Sequence, residues 1–323
     1  MLIWPDTLLV LLGALAIDAV VGDPNWLWRR LPHPVTVIGA VIGWFDRAFN
    51  SPSGADAWRR GCGLACTIAL VLGAGAIGVL MERALQAIGG GEILIALIAA
   101  TFLAQRSLYE HVAAVGDAFE SGGLAQARRA VAMIVGRDPA SLDETGVCRA
   151  AVESCAENFS DGVVAPAFWF ALFGLPGLLI YKVVNTADSM VGHRTERHEA
   201  FGWAAARLDD GLNLVPARLS GLLIAVAAPA VGGRFIAALQ LMVRDARLHR
   251  SPNAGWPEAA MAGALGLALA GPRRYAEKMV DDPFLNRDGR KDADPKDIHR
   301  ALRVLIVASV LHAGLYALLV VAF

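Results

Sequence analysis

The densest run of chemistry-bearing side chains in the chain is Glu153-Ser154-Cys155-Ala156-Glu157-Asn158-Phe159-Ser160-Asp161. If this run is helical, Glu153, Glu157 and Asp161 stand at i, i+4 and i+8 and share one face. Like charges at that spacing repel by roughly a few tenths of a kcal/mol per exposed pair. A divalent cation relieves the repulsion, and hard carboxylate oxygens suit Mg²⁺. The competing reading is a solvated acidic face ahead of an apolar segment.

A second cluster spans 182–199. Asn185 and Asp188 lie one turn apart, and Asp188 borders an apolar run where an unpaired carboxylate is costly. Gly192 allows a turn, and His193, Arg194, Glu196, Arg197 and His198 follow. Arginine offers a two-pronged fork for phosphate or carboxylate, and histidine can carry a proton. The plainer alternative is a polar loop closed by its own ion pairs. A third cluster, 207–218, sets Asp209, Asp210, Asn213 and Arg218 at the mouth of an apolar run. Its Asp210-Gly211 and Ala217-Arg218 are too far apart for the D-G-x-x-A-R opening of CDP-alcohol phosphotransferases.

Smaller features complete the set. Asp18 lies inside the first apolar run, with Asp23-Pro24 and His33-Pro34 after it. Arg106 and Glu110 are spaced to pair on a helix. Arg137-Asp138-Pro139 reads as a turn, and 251–256 (SPNAGW) as an ordered loop. No P-loop, G-x-G-x-x-G, H-E-x-x-H or G-x-S-x-G occurs. Cys62, Cys66, Cys148 and Cys155 show no C-x-x-C or zinc spacing and read as reduced structural thiols.

The elements that must position these groups are written in the composition. Of 323 residues, 56% are hydrophobic and 18% charged, against about 45–50% and 25% in soluble domains. Mean hydropathy is +0.49. So apolar a chain has too little polar surface to cover itself in water, so lipid must cover part of it. A net charge of −1 gives no field for nucleic acid. The expected fold is all-α: a polytopic helical membrane protein, one integral membrane domain over 1–323, with about five to seven spans and a polar site on its cytoplasmic face.

At about 20 residues per crossing, the spans fall near 6–22, 62–81, 92–105, 163–181, 214–243 and 301–323. Polar loops over 23–61, 106–160, 182–213 and 244–300 separate them. Pro166, Pro176 and the glycines of 163–181 predict a broken helix, and Gly232-Gly233 a break in 214–243. The small-residue run 259–270 is too short to span and reads as buried or interfacial. Arginines at 29, 30, 47, 59 and 60 put 23–61 inside, with 106–160 and 244–300 on the same side. The apolar start lacks a basic leader and a cleavage site, and reads as a retained first span. No fixed-period repeat or pair of similar halves is visible.

In this order the strings D-x-x-x-x-D-P, HPV, RSLYEHV, GRD, ESCAENFSDGVVAPAFW, KVVNTADSMVGHRTERHEAFGWAAARLDDGLNLVPARLSG and SPNAGWPEAAMAGALG become recognisable. The sequence resembles the CobD/CbiB family, the membrane-bound adenosylcobinamide-phosphate synthases of cobalamin biosynthesis. The likeness runs from about residue 18 to about 275 and is densest over 153–263.

The resemblance implies an ATP-dependent amide ligase of the inner (cytoplasmic) membrane. It would join aminopropanol, or aminopropanol O-phosphate, to the free f-side-chain carboxylate of the corrinoid cobyric acid. Other cobalamin-pathway proteins are expected as further partners. Such chemistry needs cations for phosphates, a metal clamp and a base. On that footing Glu153, Glu157, Asp161 and Asp188 are expected to hold Mg²⁺ or the amine. His193 joins Glu153, Glu157 and Asp188 as catalytic, and Arg194 and Arg197 suit phosphates. Asn158, Asn185, Asp209, Asn213 and Arg218 are expected to position substrate, with His33, Arg106 and Glu110 in a second tier. The rival readings are a membrane transporter of a corrinoid or other small polar solute, and a non-catalytic subunit of a biosynthetic complex.

Overall fold

The structure is a computed structural model describing residues 5–135, 139–275, 278–280 and 282–322. The turn expected at Arg137-Asp138 lies outside the described residues. In chain order the helices begin with α1 (Pro5–Val21), α2 (Asn25–Trp28), α3 (Pro34–Phe49), α4 (Asp56–Gln86) and α5 (Gly91–Ala100). Next come α6 (Gln105–Val131), α7 (Glu144–Phe159), α8 (Ala165–Val191) and α9 (Trp203–Leu212). The chain finishes with α10 (Leu214–Ala227), α11 (Phe235–Asp245), α12 (Gly255–Leu265) and α13 (Pro295–Ala322). Among the described residues strand is confined to two small antiparallel pairs: β1 (Leu269–Ala270) with β4 (Phe284–Leu285), and β2 (Arg273–Tyr275) with β3 (Lys278–Val280).

Among the described residues five helical stretches are long and apolar enough to cross a membrane: 56–86, 91–131, 144–191, 214–231 and 295–322. The protein is a polytopic helical membrane protein. α4 leaves Leu64, Ile68, Leu72, Ile77 and Leu80 exposed, and α13 leaves Val310, Leu318 and Val321 exposed. Those side chains need lipid around them. α1 has 17 residues, the lower end of the spanning range.

The described residues form two compact units. The first comprises residues 1–104, 165–213 and 316–323, built on α1, α3, α4, α5, α8 and α9. α4 lies along α8, and α9 packs on both. α8 is interrupted at Gly174, whose φ of +64 and ψ of −149 suit glycine alone. The Glu82 carboxylate fills the space a Cβ would take there, and it accepts the Leu175 backbone N–H. Pro176 follows as a start for the second half of the helix. The break that prolines and glycines predict in 163–181 is therefore held by an acid from a neighbouring helix. Beyond it α8 runs on to Val191, ten residues past the expected end.

The second unit comprises 105–164 and 214–315. α7 is its axis: Val147, Ala151, Val152, Cys155 and Phe159 are buried against α6, α10, α12 and α13. The single span expected over 214–243 is two helices. α10 ends in a short 3₁₀ turn at Ala228–Val231, Gly232 takes φ +78, and α11 restarts at Phe235. Proline followed by paired glycines removes helix donors and admits the left-handed turn. The stretch expected to span 92–105 is likewise short: α5 has 10 residues, and α6 begins at Gln105. The small-residue segment near 259–270 is α12, buried along its length and stopped by left-handed Gly266. All four cysteines are free.

Candidate active site

In the first unit the end of α8 and the whole of α9 bring four of the expected residues together. Asp209 on α9 is 8% exposed. Asn185 Nδ2 donates to its Oδ1 at 3.3 Å, and Asn213 Nδ2 donates to its Oδ2 at 2.9 Å. Tyr181 Oη donates to Asn213 Oδ1 at 3.1 Å, which fixes the direction of that amide. Burial, and after it the charge of neighbouring Asp188, push the Asp209 carboxyl up to about 7, against the two amide hydrogen bonds. Burial also raises Asp210, against the charges of Arg207 and Arg194. The helical register explains the grouping: Tyr181, Asn185 and Asp188 share one face of α8 at i, i+4 and i+7.

The loop between α8 and α9 carries His193 and Arg194, both exposed. Arg197 is committed elsewhere. Its Nη2 lies 2.7 Å from Asp46 Oδ2, and His198 Nε2 is 3.6 Å from Asp46 Oδ1. Asn50 Nδ2 donates to Asp46 Oδ1 at 2.7 Å and to the Arg197 carbonyl at 2.9 Å. Arg59 on α4, itself buried, donates to Asn50 Oδ1 and to the carbonyls of Glu196 and Arg197. Asp46, Asn50 and Arg59 thus pin the loop, and sequence reasoning missed all three in this role. The partners of Arg197 are about 150 positions away, so no local spacing could have found them.

Burial works to raise the Asp46 carboxyl, but hydrogen bonds from Asn50 and Arg197 and the charges of Arg197 and His198 hold it below its ordinary value. A carboxyl lowered by folding adds stability above its unfolded value of 3.8 and loses it as the pH falls through the lower folded value. Proteolysis of the 192–202 loop should therefore speed up below about pH 4. Asp46→Asn should show that faster cleavage already at neutral pH.

In the second unit the acidic run sits where α7 changes pitch. α7 ends at Phe159, and residues Ser160–Val164 form a π-helical turn. That wider turn carries Asp161, so the single i, i+4, i+8 face expected for the three carboxylates is not kept. Glu157 is exposed and Asp161 half-buried. Glu153 is 5% exposed. It accepts the Ala270 backbone N–H at 2.7 Å and lies 4.0 Å from Arg149 Nε. Ala270 has φ +58, so Glu153 secures a left-handed backbone position at the end of β1, opposite Phe284.

Among the described residues no three His, Cys, Asp or Glu side chains are grouped to hold a metal ion. Glu153, expected among the metal ligands, turns one carboxylate oxygen to the buried Ala270 backbone N–H. Glu153→Ala should cost about 2 kcal/mol through that orphaned N–H. A lowered melting temperature with turnover intact at permissive temperature would bear this out.

The remaining candidates have local partners. Asn158 donates to the Ser154 carbonyl at 2.9 Å and to Ser154 Oγ at 3.0 Å. Arg106 and Glu110 pair at 2.6 Å on an exposed face of α6. Arg218 donates to the Leu214 carbonyl and lies 4.4 Å above the Trp256 ring. It belongs to the second unit, whereas Asp209 and Asn213 belong to the first. His33 caps α3 by accepting the Val35 N–H at 3.2 Å, with Nε2 3.4 Å from Asp23. Its ring also meets Trp28 edge-on.

Comparisons with known proteins agree with one another. The model of the family described as CobD/Cbib protein matches residues 11–305. The chain is 52% identical to the cobalamin biosynthesis protein CobD of Sinorhizobium fredii, over 98% of both chains. It is 50% identical to the protein of that name from Brucella suis, over 95% of each. Against that of Rhodobacter capsulatus it is 48% identical, over 95% of this chain and 96% of the other. No solved structure matches. With its family model and its relatives both aligned along almost its entire length, the chain belongs to the CobD/CbiB family.

Proposed function

We propose that the chain serves cobalamin biosynthesis as an ATP-dependent amide ligase, joining aminopropanol or its O-phosphate to the f-side-chain carboxylate of cobyric acid. The observation that carries the reading is the family membership, over residues 11–305 and beside relatives named for cobalamin biosynthesis. The multi-pass fold and the arginine-rich segments between its apolar runs favour the cytoplasmic membrane. Proteins that supply or accept corrinoids are its natural partners.

A carboxylate and an ammonium do not condense at neutral pH. One oxygen of the carboxylate must become a leaving group, and the amine must lose a proton. In this reading phosphoryl transfer from ATP gives an acyl phosphate and ADP. The amine nitrogen then attacks the acyl carbon, and the C–O bond to phosphate breaks. Mg²⁺ arrives with ATP as part of the substrate and offsets phosphate charge. That fits residues which do not form a closed metal cage, because Mg²⁺ on nucleotides uses only one or two protein carboxylates. Glu157, Asp161 and Asp188 are the carboxylates this reading assigns to it or to the amine.

His193 and Arg194, exposed on their loop, suit the phosphates. Arg218, held flat on Trp256, suits an anionic substrate group. Asn185 and Asn213 hold Asp209 in place.

Cobyric acid labelled with ¹⁸O in the reacting carboxylate tests the reading. One label should move into inorganic phosphate for each amide formed, and only when amine and ATP are both present. Label appearing in AMP would overturn the acyl-phosphate route, and ATP use without amide would overturn the ligase.

A further inference from the structure

We infer that Asp209 is the base that takes the first proton from the amine substrate, held for that task by Asn185, Asn213 and Tyr181. The inference rests on the ligase reading and names the group that reading leaves open.

The geometry argues in steps. A carboxylate at 8% exposure is expensive unless it is paired, protonated or about to receive a cation. Among the described residues no Lys, Arg or His forms a salt bridge with Asp209; its hydrogen bonds come from two neutral amides. The amides aim both oxygens without neutralising them, and Tyr181 prevents Asn213 from turning its carbonyl inward. Asp188 on α8 and Asp210 on α9 add negative charge nearby. At this end of α9 the charges of Arg194 and Arg207 act on Asp210. Across α4, Arg60 is laid over Trp203, 5.2 Å from the ring centre.

Such a group of carboxylates attracts an ammonium, and a carboxyl lifted towards neutrality is matched to accept its proton. A purely structural carboxylate would be expected to have a cation or a backbone N–H, as Glu153 and Asp46 do.

The protons balance. The ammonium, R–NH₃⁺, gives one proton to Asp209 and becomes R–NH₂. The nitrogen lone pair forms the C–N bond as the acyl C–O bond breaks. The second nitrogen proton leaves with the phosphate as HPO₄²⁻. Asp209 then releases its proton to solvent, restoring the carboxylate for the next turnover.

Hydroxylamine separates this role from the others, because it is already neutral at pH 7 and traps acyl phosphates as hydroxamates. With cobyric acid and Mg-ATP, purified full-length protein in detergent should make hydroxamate. Asp209→Asn should lose about 100-fold or more in amide formation from aminopropanol phosphate or aminopropanol. It should keep hydroxamate formation within a few-fold of the unaltered protein. Asp209→Glu should recover part of the amide rate.

Loss of both activities in a folded Asp209→Asn protein would overturn the proposal, since hydroxylamine needs no base. Retention of full amide formation would overturn it equally. Failure of the unaltered protein to make hydroxamate while still making amide would instead overturn the acyl-phosphate step of the proposed function, a result distinct from loss of a base at Asp209.

Discussion

Asp188→Ala is expected to lower amide formation by about 100-fold or more while the protein still elutes as a folded species in detergent. Asp188 is half-buried near the end of α8, on the face that presents Tyr181 and Asn185, and its charge acts on Asp209. Two carboxylates so placed favour a cation between α8 and α9, so removing one should weaken amine binding as well as turnover. The Michaelis constant for the amine should rise together with the fall in maximal rate. Glu157→Ala, on the exposed face of α7, should cost a similar factor through the nucleotide instead. Unchanged rates in both variants, measured by product mass spectrometry, would remove these carboxylates from the mechanism.

Gly202→Ala is expected to give the largest loss of stability. Gly202 has φ −78 and ψ −6, a conformation any residue adopts, so its side chain is excluded by space alone. A Cβ there would lie 1.6 Å from the Val191 carbonyl oxygen. On the other side, a Cβ at Gly63 of α4 would lie 1.8 Å from the Phe201 carbonyl oxygen. The backbone at 201–202 is thus clamped between the end of α8 and α4, and neither neighbour can yield, because both contacts are backbone. Either alanine should cost about 3 kcal/mol or more, lowering the melting temperature by roughly 5 °C. The 192–202 loop would move with it, taking His193 and Arg194 out of place. A melting temperature within a degree of the unaltered protein would show that the clamp is looser than its distances.

The sequence exposes the helices because lipid and core both demand long apolar runs, and such runs are local. It also exposes the breaks at Gly174 and Gly232-Gly233, since glycine and proline act through their own backbone. Where each helix stops was less legible. α8 continues through its polar end because Asn185 donates to Asp209 on α9 and the Thr186 hydroxyl donates to the Lys182 carbonyl within the helix, which hydropathy does not register. The polar clusters were legible as clusters, while their division of labour was not. Glu153 looks like Glu157 in sequence, yet its carboxylate answers a backbone N–H 117 positions away. Arg197 looks like Arg194, yet it is tied to Asp46 on α3. The i, i+4, i+8 acidic face failed because spacing assumes a constant pitch, and the turn at Ser160–Val164 is π-helical.

The measurement that bears most directly on the ligase is a reaction of detergent-purified protein with cobyric acid, Mg-ATP and either aminopropanol phosphate or free aminopropanol, read by mass spectrometry. The account predicts a condensed corrinoid, heavier by the amine less one water, with one ATP consumed per product and none consumed when either substrate is left out. Folded protein that binds the corrinoid yet yields no condensed product with either amine would contradict it.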